Sequence, residues 1–305
     1  MIYSVSNHKG GVGKTTSTIS IGAALANKGK KVLLIDLDPQ SNLTQSLSIK
    51  NIQISIYDNL KGEKLVNTIE YRNNLYVLPS SLDLSAAEIE LSSEPGREYI
   101  LKDILAPLKN KFDYIFIDCP PSLGLLTINA LTASDYVIIP MQAEYLPLRG
   151  LAKLTEVITK IQNRLNHNLQ IGCVFLTQYD ARKVLNRDIA ESVLEFFGNK
   201  FLNSKISNNV ALAEAPSQGK DIFLYNKNCR GALDYEELWK DLLKPKEKTT
   251  EKELRATFIV KHSNIEKLKA IAYWERKSIK KVLDEALGAY IELYEKTNGT
   301  IQIPK

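Results

Sequence analysis

Eight residues near the N-terminus, Lys9-Gly10-Gly11-Val12-Gly13-Lys14-Thr15-Thr16, constrain this chain more than any other segment. An apolar, β-branched run (residues 1–6) precedes them and an apolar helical pattern (residues 15–27) follows. Glycines let the backbone turn its N–H groups inward, and the N-terminus of the next helix adds a favourable partial charge. Strand, loop and helix in this order make a cradle for phosphates. In such a cradle Lys14 reaches the β- and γ-phosphates, the Thr15 hydroxyl ligates Mg²⁺ and Thr16 contacts the α-phosphate. The general pattern G-x-x-x-x-G-K-[ST] fails at its first position, where His8 stands, and the variant K-G-G-x-G-K-[ST] fits instead. His8 itself reads as a loop residue without a chemical role.

Further apolar runs at 32–36, 75–79, 114–118, 136–140 and 171–177 read as strands, and helical patterns at 148–163 and 187–197 separate some of them. Runs such as KVLLID and YVIIP are apolar without alternation, as in strands buried on both faces. The expected fold is α/β, a doubly wound and mostly parallel sheet, in which ligands bind beyond the carboxyl ends of the strands. Two acidic motifs fall at such ends: Asp36-Leu-Asp-Pro-Gln40 and Asp118-Cys-Pro-Pro-Ser-Leu-Gly124. Asp118 fits a carboxylate that holds Mg²⁺ through water.

Composition narrows the setting. No stretch approaches the roughly 20 apolar residues of a membrane helix, and no charged-then-apolar leader opens the chain, so a cytoplasmic protein without stable membrane insertion is expected. Cys119, Cys173 and Cys229 lie far apart, which argues against a disulfide framework, a zinc ribbon or a local iron–sulfur motif; they read as buried small hydrophobes. Residues 245–305 carry 13 Lys+Arg against 9 Asp+Glu, whereas the rest carries 27 against 26. Nearly all the excess positive charge therefore sits in the last fifth, either as a solvated tail or as a contact for nucleic acid.

The second lysine of the loop, Lys9, is unnecessary for cradling phosphates. With Lys14 it resembles the signature of the deviant Walker A ATPases, the family of P-loop NTPases that includes ParA partition proteins, MinD and the nitrogenase iron protein. The resemblance is specific to ParA and covers about residues 1–244, through LIDLDPQSNLT, FIDCPPSLGLLTINALTASDYVIIP, residues 142–151 and AEAPSQGKDI. It implies a Mg²⁺-dependent ATPase that dimerises around ATP. Lys9 then reaches across the sandwich to the other subunit's phosphates, as an arginine finger does. It further implies that Asp38 orients the attacking water, that Asp36 assists the Mg²⁺ shell, and that adenine lies by Thr177, Gln178 and Pro216. ParA proteins also bind nonspecific DNA as ATP dimers. Arg182 matches one such position and Lys183 lies beside it, but residues 206–212 lack the arginines that close relatives carry.

Residues 245–254 are charged, polar and without apolar periodicity, and read as a linker. Beyond it a short alternating run (255–261) precedes two amphipathic helical patterns (264–276 and 279–296). One strand and two helices of this size cannot bury their apolar faces alone. Residues 255–298 resemble a ribbon–helix–helix domain, in which two chains pair their strands into a ribbon that enters the major groove. On this reading Arg255, Thr257 and Ile259 face the groove, while Lys277, Ser278 and Lys280 grip a phosphate at the start of the second helix. A helical hairpin used only for dimerisation, or for docking on the ATPase, is the plainer alternative.

The expectation is thus a nucleoid-associated partition ATPase with a fused DNA-binding module, homodimeric through both the ATP sandwich and the C-terminal domain. It binds DNA nonspecifically or at a defined site. Small ParA proteins usually need a separate centromere-binding partner, a function that would be carried here in cis. The alternatives are a nucleotide-gated transcriptional regulator and an ATPase that positions a protein cargo.

Overall fold

The structure, a computed structural model, describes residues 1–144, 147–243, 261–275 and 277–298, with the backbone alone described at 147–151. The chain divides into two units, Met1–Lys246 and Glu247–Lys305.

The first unit is built on seven strands: β1 (Ile2–Val5), β2 (Val32–Asp36), β3 (Ile69–Arg72), β4 (Leu75–Leu78), β5 (Tyr114–Asp118), β6 (Tyr136–Gln142) and β7 (Gln170–Thr177). They lie in the order β3-β4-β2-β5-β1-β6-β7. Every adjacent pair is parallel except β3 with β4. The all-apolar strands have a simple cause. Leu33 and Ile35 of β2 join Ile115 and Ile117 in one core layer, while Val32 and Leu34 join Val5 and Phe116 in the layer on the opposite face. Helices cover both faces, so neither side of these strands can be polar.

Strand order fixes where a ligand can bind. From β1 the chain runs through the helix Lys14–Ala26 to β2, on one side, while β6 lies on the other. The crevice beyond the carboxyl end of β1 is therefore the topological switch point. Eleven of the thirteen residues of the helix Lys14–Ala26 are buried. It sits against the sheet at Gly22, where an added Cβ would come within 2.6 Å of a Leu34 methyl.

β3 is an addition that the sequence did not suggest. Its four residues, IEYR, are mostly half-buried at a sheet edge. The helix expected over 187–197 starts earlier, at Val184.

The second unit holds the helices His262–Glu275 and Ile279–Asn298. Ala272 and Val282 are buried, whereas Ile271, Ile279, Leu287, Tyr290, Ile291 and Leu293 are exposed. The expected linker (245–254) and nearly all of the expected strand (255–261), with Arg255, Thr257 and Ile259, lie outside the described residues. Among the described residues no helix is long and apolar enough to cross a membrane.

Candidate active site

β1 delivers the chain into the loop at Asn7. The Asn7 side-chain amide donates to Pro140 O (2.7 Å), and its Oδ1 accepts from Lys9 N (3.0 Å), so the loop is pinned to the end of β6. Gly11 (φ 74°) and Gly13 (φ 83°) then take left-handed conformations, which cost a residue with a Cβ about 1–2 kcal/mol each. Gly13 also passes Thr177, whose methyl would stand 3.6 Å from an added Cβ. No side chain caps the helix that begins at Lys14. Its first N–H groups are therefore left for an anion.

The two lysines differ. Lys14 is buried, and its ammonium donates to Lys9 O (3.2 Å). Burial pushes its pKa down, against the pull of Asp118. Lys9 is half-exposed at the mouth of the loop and pairs with Glu144.

Asp118, at the end of β5, is fully buried. Thr18 Oγ1 approaches its Oδ1 at 3.5 Å. Its Oδ2 is buried with no partner. Burial, and then the neighbouring Asp36, push this carboxyl well above the usual carboxylate range, and Thr15 and Lys14 do not offset them. A buried carboxyl oxygen without a partner, which a cation would hold in its ionised form, is a donor that suits Mg²⁺. Among the described residues no cluster of three or more His, Cys, Asp or Glu side chains could hold a metal.

Asp36 pairs with Asp118 in register across β2 and β5 and is fully buried, with its pKa raised by burial to about 6. The assistance to the Mg²⁺ shell expected of it meets a competing use. Its Oδ2 accepts from Thr44 N (2.8 Å) and Thr44 Oγ1 (2.7 Å), and its Oδ1 accepts from Asp38 N (3.3 Å). Both oxygens hold the 38–44 loop. Asp38, also buried, uses Oδ1 to accept from Gln40 N (3.0 Å).

The residues expected around adenine are only partly brought together. Thr16 and Pro216 line one small crevice. Thr177 instead spends its hydroxyl on the loop itself, at 2.9 Å from Val12 O and 3.2 Å from Met141 O. Gln178 (φ 50°) reaches Gly11 O at 3.4 Å, and it lines a separate polar cleft of about 630 Å³ with Arg182, Lys183, Lys205 and Arg230. Two of these cations are already matched. Arg182 grips Asp180 with Nε and Nη2, both at 2.9 Å, and holds that carboxyl down at about 2. Arg230 pairs with Asp234 at 2.7 Å. In the second unit Lys277 likewise sits between Glu275 (2.8 Å) and Glu285 (2.7 Å), which compromises it as a phosphate contact. Ser278 Oγ accepts from Lys281 N (3.2 Å) at the start of its helix, and Lys280 lies in the first turn.

Sequence reasoning did not single out Asn7, Thr44, Ser80 or Glu144. Glu144 lay within the ParA-like stretch 142–151 and Thr44 within LIDLDPQSNLT, but neither announced a partner.

A family model described as an AAA domain matches residues 1–171. The chromosome-partitioning ATPase Soj of Treponema pallidum is 45% identical over 240 residues, which cover 78% of this chain and 94% of that protein. The sporulation initiation inhibitor protein Soj of Bacillus subtilis is 47% identical over 249 residues, covering 79% and 97%. Among solved structures, a cobyrinic acid a,c-diamide synthase from Mycobacterium smegmatis with a bound ATP analogue and magnesium superposes with a TM-score of 0.69 at 37% identity, over 78% of this chain and 92% of that one. Nearly the full length of two Soj proteins is matched at this identity, around a loop that carries both lysines, and the chain belongs to the ParA/Soj family of partition ATPases.

Proposed function

We propose that this chain is an ATP-dependent DNA-partition ATPase that dimerises across bound ATP, hydrolyses it, and carries its own DNA-binding module. ATP and Mg²⁺ are its cofactors. The observation that carries the reading is the division of labour between the loop lysines. Lys14 is buried within its own loop, where it serves the β- and γ-phosphates bound there. Lys9 stands half-exposed at the mouth, paired with Glu144, where a second subunit could be met. Thr15 and Asp118 hold Mg²⁺, which offsets phosphate charge. Gly10 to Gly13 cradle the phosphates, and Asp38 orients the attacking water.

The split between the lysines supplies the test. Lys14→Ala should abolish binding of a fluorescent ATP analogue. Lys9→Ala should bind it within a few-fold of wild type but remain monomeric with ATP in light scattering. If Lys9→Ala dimerised and hydrolysed normally, the reading would fail.

The fused module rests on the second unit. Its two helices leave a row of apolar side chains exposed, as a chain that completes its core with a second copy would. The ribbon–helix–helix reading, its DNA contacts and a nucleoid location follow from that proposal.

A nucleotide-gated transcriptional regulator is the second reading. Arg182 is committed to Asp180, and residues 206–212 lack arginine, so the ATPase unit offers fewer free cations to nonspecific DNA. Loss of a plasmid or chromosome on mutating Lys14, with the second unit intact, supports partition. Unchanged inheritance with altered transcription supports regulation.

A further inference from the structure

Asp38 is held by a closed ring of hydrogen bonds drawn from three segments of chain. Asp36 Oδ2 accepts from the Thr44 hydroxyl at 2.7 Å. Thr44 Oγ1 in turn accepts from Ser80 N at 3.0 Å. Ser80 Oγ donates to Asp38 O at 3.0 Å. Asp38 N donates to Asp36 Oδ1 at 3.3 Å, which closes the ring. All four residues are buried. Ser80 lies just past the end of β4 and Asp36 ends β2, so the ring ties the exits of two neighbouring strands to one loop.

The loop needs such a tie. Ser41, whose N–H also donates to Asp38 O (2.8 Å), stands at φ 53°, a left-handed conformation that costs a non-glycine residue about 1–2 kcal/mol. Strain of this kind persists only where the surroundings over-determine it. The ring grips the Asp38 backbone at both its N–H and its carbonyl, while among the described residues the Asp38 carboxylate accepts only from Gln40 N, outside the ring. The side chain is thus free for chemistry while its origin is fixed.

We propose that Thr44 and Ser80 are positioning residues for Asp38, setting the place of the carboxylate that orients the attacking water. This rests on the role given to Asp38 above. The joint of the ring is the Thr44 hydroxyl, which donates to Asp36 and accepts from Ser80 N at once. Serine can do both, and valine of the same shape can do neither. Misplacement of a reacting group by about 1 Å costs on the order of 10²-fold in rate.

The test uses the full-length protein and its Thr44→Val, Thr44→Ser, Ser80→Ala and Asp38→Asn variants. For each, kcat and KM for ATP hydrolysis, affinity for a fluorescent ATP analogue and ATP-dependent dimerisation are measured. Thr44→Val and Ser80→Ala should lower kcat roughly 10- to 100-fold, with nucleotide affinity and dimer fraction within about twofold of wild type. Thr44→Ser should keep kcat within about threefold. Nucleotide affinity reports folding, and if Thr44→Val proves insoluble, Ser80→Ala and Thr44→Ser decide the matter. Wild-type kcat in Ser80→Ala overturns the proposal, as does equal loss of affinity and rate, which marks a merely structural ring. Wild-type hydrolysis in Asp38→Asn removes the role of Asp38 itself. Slow Asp38→Asn with fast Ser80→Ala and Thr44→Val removes only the ring.

Discussion

Replacing Asp118 by asparagine should make the nucleotide-free protein more stable while depriving it of Mg²⁺-dependent ATP binding. The wild-type carboxylate is fully buried and its Oδ2 has no hydrogen-bond partner. An orphaned buried acceptor costs about 1–3 kcal/mol, and more when charged. Its raised pKa already includes the attraction of Lys14, so losing that attraction does not reverse the sign. Asparagine keeps one oxygen for the Thr18 hydroxyl and removes the charge. In a unit of about this size 1 kcal/mol moves Tm by about 2–4 °C, so a rise on the order of 2–10 °C is expected without metal or nucleotide. The pH dependence has a definite sign. A carboxyl whose pKa is raised in the folded state binds more protons folded than unfolded between the two pKa values, so it favours the fold at low pH and loses that advantage as pH rises through the folded pKa. The margin of Asp118→Asn over wild type should therefore widen from acid to mildly alkaline pH. The assay is calorimetric unfolding in EDTA across pH 5.5–8.5, repeated with Mg²⁺ and a non-hydrolysable ATP analogue. Ligand at about 100 Kd adds roughly 2.7 kcal/mol to a protein that binds it, an increment the variant should lack. A variant less stable than wild type in EDTA, with a margin flat in pH, would refute the reasoning and make Asp118 a structural anchor.

Other outcomes follow from packing and charge. Gly22→Ala should destabilise the first unit, because overpacking against Leu34 costs about 1–3 kcal/mol and outweighs the gain of up to about 1 kcal/mol in helix propensity; an unchanged or higher Tm would contradict this. Arg182→Ala should lower the salt slope of DNA binding by well under the roughly 0.9 expected for one free phosphate contact, since Arg182 is already bound to Asp180; a drop of a full contact in a filter-binding series would show that DNA displaces the aspartate.

The sheet was legible in the sequence to the extent that its strands were buried on both faces. Val32–Asp36 and Tyr114–Asp118 leave no polar face to confuse, whereas Ile69–Arg72 is short, edge-bound and half-exposed, and its IEYR pattern carries no such signal. Val184 begins its helix 61% exposed, so apolar periodicity could not place that boundary. The phosphate loop was legible because its left-handed positions demand glycine, and glycine is written in the sequence. The support of Asp38 was not. Ser80 stands 42 residues from Asp38, and its part is played by a backbone N–H as much as by its hydroxyl. The resemblance implied a metal-shell role for Asp36, and what the sequence could not show is that its oxygens also accept from Thr44 and Asp38 N.

The three aspartates explain why one crevice can need so many acids. Burial and the neighbouring Asp36 raise the Asp118 carboxyl, and acids gathered in a dry site repel phosphate, so each must be offset separately. Asp36 is offset by three hydrogen bonds from the loop it shapes. Asp38 receives one, from Gln40 N. Asp118 is left with an oxygen that has none. That gradation accords with the proposed roles, in which Asp36 frames the loop, Asp38 orients water and Asp118 takes the metal. Lys14, the one lysine buried among the described residues, cannot balance these acids and an incoming triphosphate, and burial weakens its own hold on the proton. A divalent cation at Asp118 and a cation from outside the pocket are therefore what the charge balance lacks. In the proposed dimer Lys9, half-exposed at the mouth of the loop and paired with Glu144, supplies the second at little cost to its own fold, since a pair this exposed contributes less than about 1 kcal/mol.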